Sequence, residues 1–285
     1  MTRLTPYMIK DVPLSSAERD ADLIRTLGLT IKGLAYEAVG IDPRQLRMEE
    51  FTAAAVPVTS GQGTTEGFSD SVCAIAEHLG MSTFVTDRTD VAGFSDAISA
   101  GADIVFMADD EEFVAFNSRT RTFSNNTRST ALGYFTALRV AAGGLKGREV
   151  LLIGAGRVGT YAAELLHREQ AEVTVVDMDR SKAEALRMAH KNFRVKNDLE
   201  AAVMESSLIF NASPARIPGE WICKGAIISS PGMPFSFDEE GLRRAGTLIH
   251  DPLQIGVAVM AVWSASRGLP HISVPEGSEI KMEAI

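Results

Sequence analysis

Apolar positions set the first element. From Ser15 to Leu29, Ala17, Ala21, Ile24, Leu27 and Leu29 recur near a 3.6-residue period, which predicts an amphipathic helix. Ser15 or Ser16 is its predicted cap, Glu18 falls in its first turn, and Gly28 stands where it should stop. From Val56 onward the period changes. Short β-rich runs, VPVTS (56–60), TFVTD (83–87) and DIVFMAD (103–109), alternate with helical stretches at Ser69 to Leu79 and Val91 to Ala100. That alternation predicts a βαβαβ parallel sheet. A second set follows Gly143-Gly144: EVLLIG (149–154), EVTVVD (172–177), SLIFNAS (207–213) and AIISSPG (226–232), again with helical stretches between. Two α/β units are therefore expected, residues 1–145 and 146–285, with a helix from Thr127 to Ala142 at the seam, ended by Gly143, Gly144 and Gly147. Pro252 to Arg267 predicts a last helix that crosses back toward the first unit, and the tail after Pro270 has too few apolar residues to predict.

Composition narrows the function classes. With 45% hydrophobic and 23% charged residues, the 285-residue chain is neither disordered nor collagen-like. Its 28 basic residues against 37 acidic ones give a net charge of -9, which disfavours nucleic acid and anionic membrane surfaces as partners. Cys73 and Cys223 stand far apart in apolar contexts and read as buried free thiols, not as a disulfide or a metal site. No apolar run approaches the roughly 20 residues of a membrane span, and no signal-peptide core is present, so a cytoplasmic location is expected. His78, His167, His190, His250 and His271 show no metal-ligand spacing, no local motif suggests a Ser-His-Asp arrangement, and no metal is expected.

The strongest local motif is Gly154-Ala155-Gly156-Arg157-Val158-Gly159, directly after a strand-like VLLI and directly before a helix-like TYAAELLH. In a dinucleotide fold the first glycine makes a tight turn, the second admits the pyrophosphate, and the third lets helix pack on strand. Phosphates then meet free N–H groups at the positive end of the helix dipole. Asp177 ends the next strand 23 residues after Gly154, where a carboxylate accepts from the adenosine ribose hydroxyls and repels the extra phosphate of NADP. NAD is accordingly the expected cofactor, and Arg180 is placed to stack on adenine or to hold that phosphate. Asn211-Ala212-Ser213-Pro214 and Ser229-Ser230-Pro231-Gly232 end two further strands and are expected to line the nicotinamide half, although all these residue types also favour plain turns.

In the first unit the equivalent strand ends carry Thr59-Ser60-Gly61, Thr86-Asp87 and Asp109-Asp110. From the residues alone, the aspartate pair is more often a cap plus a surface charge than an active-site group, and Asn125-Asn126 more often a turn before a helix than a ligand contact.

The stretches VPVTSGQGTTEGFSDSV, TFVTDRTDVAGF, IVFMADDEEFVAFN, NNTRST, VLLIGAGRVG and DPLQIGVAVM, in unbroken order from about Gly28 to Val262, resemble the pyrrolysine synthase family, which performs the last step of pyrrolysine biosynthesis. Leu4-Thr5-Pro6 also fits the family's start. The resemblance implies a C-terminal Rossmann dinucleotide-binding domain preceded by a smaller α/β substrate domain. It implies NAD-dependent oxidation of the terminal amine of a dipeptide-like substrate, 3-methyl-D-ornithyl-Nε-L-lysine, with loss of ammonia as a pyrroline ring closes. It places the acidic catalytic residue at Asp109 and substrate contacts at Leu4, Val58, Thr59, Ser60, Asn126, Ile255 and Gly256. Residues 44–51 and 264–285 depart from the family pattern, which leaves the outer pocket wall and a homodimer contact open. Rival expectations are another NAD-linked amino-acid or shikimate-type dehydrogenase, and a non-catalytic NAD-sensing module.

Overall fold

A computed structural model describes residues 4–269. The chain opens with three helices, α1 (Pro6–Ile9), α2 (Val12–Leu27) and α3 (Ile31–Val39). A first α/β unit follows: β1 (Thr52–Ala55), α4 (Phe68–His78), β2 (Ser82–Val85), α5 (Asp90–Ser99), β3 (Ile104–Ala108), β4 (Phe113–Asn117) and β5 (Thr122–Asn125). The long α6 (Asn126–Ala142) leads to β6 (Glu149–Ile153), α7 (Arg157–Arg168), β7 (Glu172–Val176), α8 (Arg180–Ala189), β8 (Arg194–Val195), α9 (Leu199–Met204) and β9 (Leu208–Asn211). The described chain closes with β10 (Ile227–Ser229), α10 (Glu239–Arg244), β11 (Thr247–Ile249) and α11 (Gln254–Ser266).

The second sheet is wholly parallel, ordered β11-β10-β9-β6-β7-β8. Ile153 is level with Val176 on one side and Asn211 on the other, so Gly154, Asp177 and Ala212 leave the sheet along one edge. The chain runs outward from β6 through β7 to β8 and then returns to β9 on the other flank of β6. Such a reversal opens a crevice at the carboxyl ends of the strands, where ligands bind in open α/β sheets.

The first sheet departs from the expected all-parallel arrangement. β2, β1 and β3 are parallel, but β4 and β5 continue antiparallel, so the order β2-β1-β3-β4-β5 mixes both pairings. Alternating burial along β4, with Phe113, Ala115 and Asn117 buried, is the period-two signal of this hairpin. The first strand also lies earlier than VPVTS. It spans Thr52–Ala55, an alanine run of low β-propensity that packs between β2 and β3, while Pro57 supplies no N–H to prolong the ladder. Residues 56–60 therefore form a loop at the carboxyl edge.

The amino-terminal helix likewise starts sooner. Asp11, not Ser15 or Ser16, precedes the first turn of α2, where Pro13 needs no hydrogen-bond acceptor, and Gly28 ends the helix at φ +71° as expected. Two helices bind the halves together. All of α11 is buried, and it packs on α6, α3 and α4 and on the antiparallel strands β4 and β5. Gly133 of α6 makes this approach close, since a Cβ there would stand 2.7 Å from an Ile255 methyl. α6 in turn lies against α7, β9 and β10 of the second unit. Among the described residues no helix is long and apolar enough to cross a membrane. His271 and the tail after Pro270 lie outside the described residues.

Candidate active site

The glycine turn performs three separate tasks. Gly154 sits at φ +94°, a conformation L side chains rarely adopt, and donates its N–H to the Val176 carbonyl at 2.8 Å. At Gly156 a Cβ would meet nothing within 4 Å, so the approach to the start of α7 is open. At Gly159 a Cβ would stand 1.9 Å from the Gly154 carbonyl oxygen, which excludes any side chain from the helix–strand contact. No side chain caps α7, so its first N–H groups remain for an anion. Asp177 braces this turn: one carboxylate oxygen accepts from the Ala155 N–H at 2.6 Å and the other from the Asp179 N–H at 2.8 Å. Asp179, not Arg180, caps α8 through the Ser181 N–H, and exposed Arg180 stands 3.7 Å from Glu184. An open approach, uncapped N–H groups and a half-buried carboxylate at the next strand end fit the pyrophosphate and ribose of a dinucleotide.

A cavity of about 400 Å³ faces this turn across the seam of the two units. Gly156, Arg157 and Val158 form one wall, and Ala212, Pro231 and Gly232 continue it. The wall's support comes from behind. Asn211 and Ser230 are fully buried, with the Asn211 amide donating to Ser230 Oγ at 3.1 Å and Ser236 Oγ at 2.9 Å. Ser213 donates its N–H to the Asn211 side-chain oxygen at 3.1 Å. These three, expected as cofactor contacts, lock the loops that present Ala212 and Gly232.

From the first unit, Leu4 and Gln62 reach the cavity, with Asn126, Thr127 and Thr130 of α6 beside them. The amino-terminal segment is strapped in place: Leu4 donates its N–H to Gln62 Oε1 at 2.8 Å, and Thr65 Oγ1 donates to the Leu4 carbonyl at 3.2 Å. Gly256 lets α11 pass close to α6, since a Cβ there would meet Thr130 Oγ1 at 2.6 Å and Asn126 Oδ1 at 2.9 Å. Ile255 stands outside the cavity lining and packs a methyl against Gly133 of α6.

No local pattern pointed to Asp251, which is buried in the cavity wall. Its Oδ1 accepts from the Leu253 N–H at 2.8 Å and from the Gln254 N–H, capping α11, while Oδ2 stands 3.1 Å from Arg19 Nε of α2. Tyr134 donates its hydroxyl to the Asp251 carbonyl at 2.6 Å and accepts the Asp251 N–H at 2.7 Å, and burial holds its pKa well above the usual phenol value. Next to it, burial pushes the His250 imidazole below its usual pKa, and Nδ1 is bonded to the Ser230 carbonyl at 2.8 Å.

Asp109 lies at the end of β3, outside the cavity lining. Its Oδ1 accepts from the N–H groups of Glu111 and Glu112, each at 2.8 Å, and its N–H donates to the Glu112 carbonyl at 2.9 Å. Oδ1 thus closes the tight turn between β3 and β4. Val58, Thr59 and Ser60 also stand outside the lining but pack beside that turn: a Cβ on Gly61 would meet the Asp110 N at 2.1 Å. Thr59 donates both its N–H and its hydroxyl to Asp90, at 2.9 and 2.8 Å, and those bonds hold the Asp90 carboxyl below its usual pKa. Asn125 caps α6 through the Arg128 N–H at 3.2 Å. Among the described residues no three His, Cys, Asp or Glu side chains cluster in a metal-binding arrangement.

Comparison with known proteins places this arrangement. Residues 8–124 match the N-terminal domain of the pyrrolysine biosynthesis protein PylD, and residues 136–219 match shikimate/quinate 5-dehydrogenase. The quinate dehydrogenase of Corynebacterium glutamicum, solved in complex with NAD, superposes with a TM-score of 0.52 at 16% identity, covering 78% of this chain and 96% of that one. Shikimate 5-dehydrogenase of Thermus thermophilus, solved with NADP(H) and shikimate, gives 0.51 at 17% identity over 78% and 96%. These show a shared fold, a Rossmann-type sheet following an α/β unit. Pyrrolysine synthase of Methanosarcina acetivorans is 32% identical over 271 residues, 91% of this chain and 98% of its own length. The Methanosarcina barkeri enzyme is also 32% identical, over 91% and 97%. On that similarity over nearly its whole length, the chain belongs to the pyrrolysine synthase family.

Proposed function

We propose that the protein carries out NAD-dependent oxidation of the terminal amine of 3-methyl-D-ornithyl-Nε-L-lysine, followed by ring closure to pyrrolysine with loss of ammonia. The observation that carries this reading is the glycine turn with Asp177 behind it, facing a 400 Å³ cavity across the seam in a chain of this family. Bound NAD supplies the hydride acceptor. NAD is preferred to NADP in this reading because the Asp177 carboxylate, at the end of the strand that follows the glycine turn, would repel an added ribose phosphate.

The residues of this chain then order the chemistry. A hydride leaves only a carbon whose nitrogen carries a lone pair, so the terminal ammonium first gives up a proton. An unperturbed aspartate near pKa 3.9 is a poor base for an ammonium near 10.4, a gap of roughly six units. Asp109 is therefore assigned an electrostatic role: Oδ2 holds the cation, then balances the iminium that forms, with the proton passed to water. Loss of a proton and a hydride converts the CH–NH₃⁺ centre to an iminium. The internal amine, deprotonated, adds to that carbon, and ammonia departs as the five-membered imine forms. Leu4, strapped by Gln62 and Thr65, closes the cavity against water on the substrate side, and Asn126 on α6 orients the dipeptide. Incubating the protein with NAD and the dipeptide should generate NADH absorbance and pyrrolysine by mass spectrometry. NADH formation with shikimate or quinate and none with the dipeptide overturns the assignment.

A further inference from the structure

Arg157 opens α7 beside the turn assigned to the pyrophosphate, yet its guanidinium reaches across to the first unit. Nη1 donates to the Glu111 carbonyl at 2.7 Å, and Nη2 meets a Glu112 carboxylate oxygen at 2.5 Å. The second Glu112 oxygen accepts from the Asn125 amide, whose own oxygen caps α6. Glu111 and Glu112 are the residues whose N–H groups hold Asp109 Oδ1. A single side chain thus joins the cofactor turn to the turn that fixes the catalytic carboxylate.

We propose that Arg157 and Glu112 are positioning residues that couple dinucleotide binding to the orientation of Asp109. When the dinucleotide binds, the guanidinium passes from Glu112 to the pyrophosphate, the 109–112 turn loosens, and the Asp109 carboxylate turns from its backbone donors to the substrate ammonium. This inference rests on the NAD reading above. The exchange is favoured on three counts. Arg157 and Glu112 are 43% and 48% exposed, and an ion pair so open to water holds weakly. A diphosphate at a helix N-terminus offers the guanidinium more charge and paired oxygens. Glu112 is also repelled by an anion arriving beside its partner. The two ligands are then linked, and each must raise the affinity for the other by the same factor.

The test is calorimetric titration of the full chain with NADH, which accepts no hydride, with and without the dipeptide. In the unaltered protein the dipeptide should tighten NADH binding several-fold. Glu112→Gln and Glu112→Ala should tighten NADH binding about threefold or more without dipeptide, and the dipeptide's added effect should fall toward none. Melting temperatures should hardly change, since the altered carboxylate is exposed. A structural role for Glu112 would instead lower the melting temperature and leave NADH affinity alone. Absence of coupling in the unaltered protein, or equal affinity and coupling in both variants, overturns the proposal while leaving the NAD reading standing. Failure of the unaltered protein to bind NADH or NAD removes both.

Discussion

The two sheets meet the cavity with different materials. The second offers backbone: an open glycine, uncapped N–H groups at α7, and loops around Ala212 and Gly232 pinned from behind by buried Asn211 and Ser230. The first unit offers side chains, with Gln62, Asn126 and Thr130 at the cavity and Asp109, Thr59 and Asn125 just outside its lining, each of these last tied to backbone or to a neighbouring polar group. A backbone site depends on shape and tolerates no added atom where the ligand passes. A side-chain site depends on charge and on the contacts that aim it. The two halves should therefore fail in different ways.

Gly156→Val should show the largest effect. The cavity side of Gly156 is open, so the variant folds, but the isopropyl group fills the space through which the pyrophosphate approaches. Calorimetry should show no measurable NAD binding, with a melting temperature near that of the unaltered chain. Retained affinity would place the dinucleotide elsewhere and end the contrast between the halves.

Asp109→Asn is the matching test on the first unit, with a loss of roughly 100-fold or more in turnover, the scale of removing one preorganised electrostatic partner. The amide oxygen still accepts from the Glu111 and Glu112 N–H groups, so the turn survives and only charge is lost. NAD affinity and melting temperature should barely move. Asp110→Asn, altering the exposed neighbour, should matter much less. If Asp110 is critical and Asp109 dispensable, the strand end faces the cleft with the other carboxylate.

That difference in materials also decides what the amino-acid sequence reveals. Gly154 and Gly159 are legible because each meets a local constraint that only glycine satisfies, and Gly156 because it falls between them at the motif's spacing. Asp177 is legible because a strand's end follows from its apolar run. Asn211 and Ser230 stand at the expected strand ends with their side chains buried behind the cavity wall, because position along a strand does not say whether a polar group faces ligand or core. The bonds that shape the other half join distant residues: Gln254 Nε2 donates to Ser15 Oγ across 239 positions, and Arg157 meets Glu112 across 45. The alanines of β1 gave no strand signal, since packing between two neighbours, not propensity, makes them a strand.

Asp177→Ala probes the one point at which the backbone site relies on a charge. Removing the carboxylate takes away the brace on the Ala155 N–H and, on the proposed NAD reading, the ribose acceptor and the repulsion of an added phosphate. NAD should bind about tenfold more weakly, the scale of losing one charge-assisted hydrogen bond, and NADP should be discriminated against less strongly. Unchanged affinity for both cofactors would show that shape alone selects the dinucleotide.

The smallest effect concerns His250, which joins the two materials: a titratable side chain holding a backbone carbonyl of the cofactor wall. Burial is the main cause of its lowered pKa, Arg19 adds to it, and the Ser230 carbonyl and Asp251 oppose it. The folded protein thus prefers the neutral imidazole. Above the unfolded value near 6.5 neither state binds the proton, and the full stability is present. As the pH falls below that value the unfolded chain takes up the proton first, so stability declines until the lowered folded pKa is passed. His190, also lowered chiefly by burial, contributes a slope of the same sign, so the comparison must be made against a variant. His250→Asn keeps a donor for the Ser230 carbonyl and removes the titration. The melting temperature of the unaltered protein should drop a few degrees more than that of the variant between neutral pH and about pH 5. Parallel curves would show that protonation of His250 is not linked to folding, and that the cofactor wall is held by its backbone bonds and by Asn211 alone.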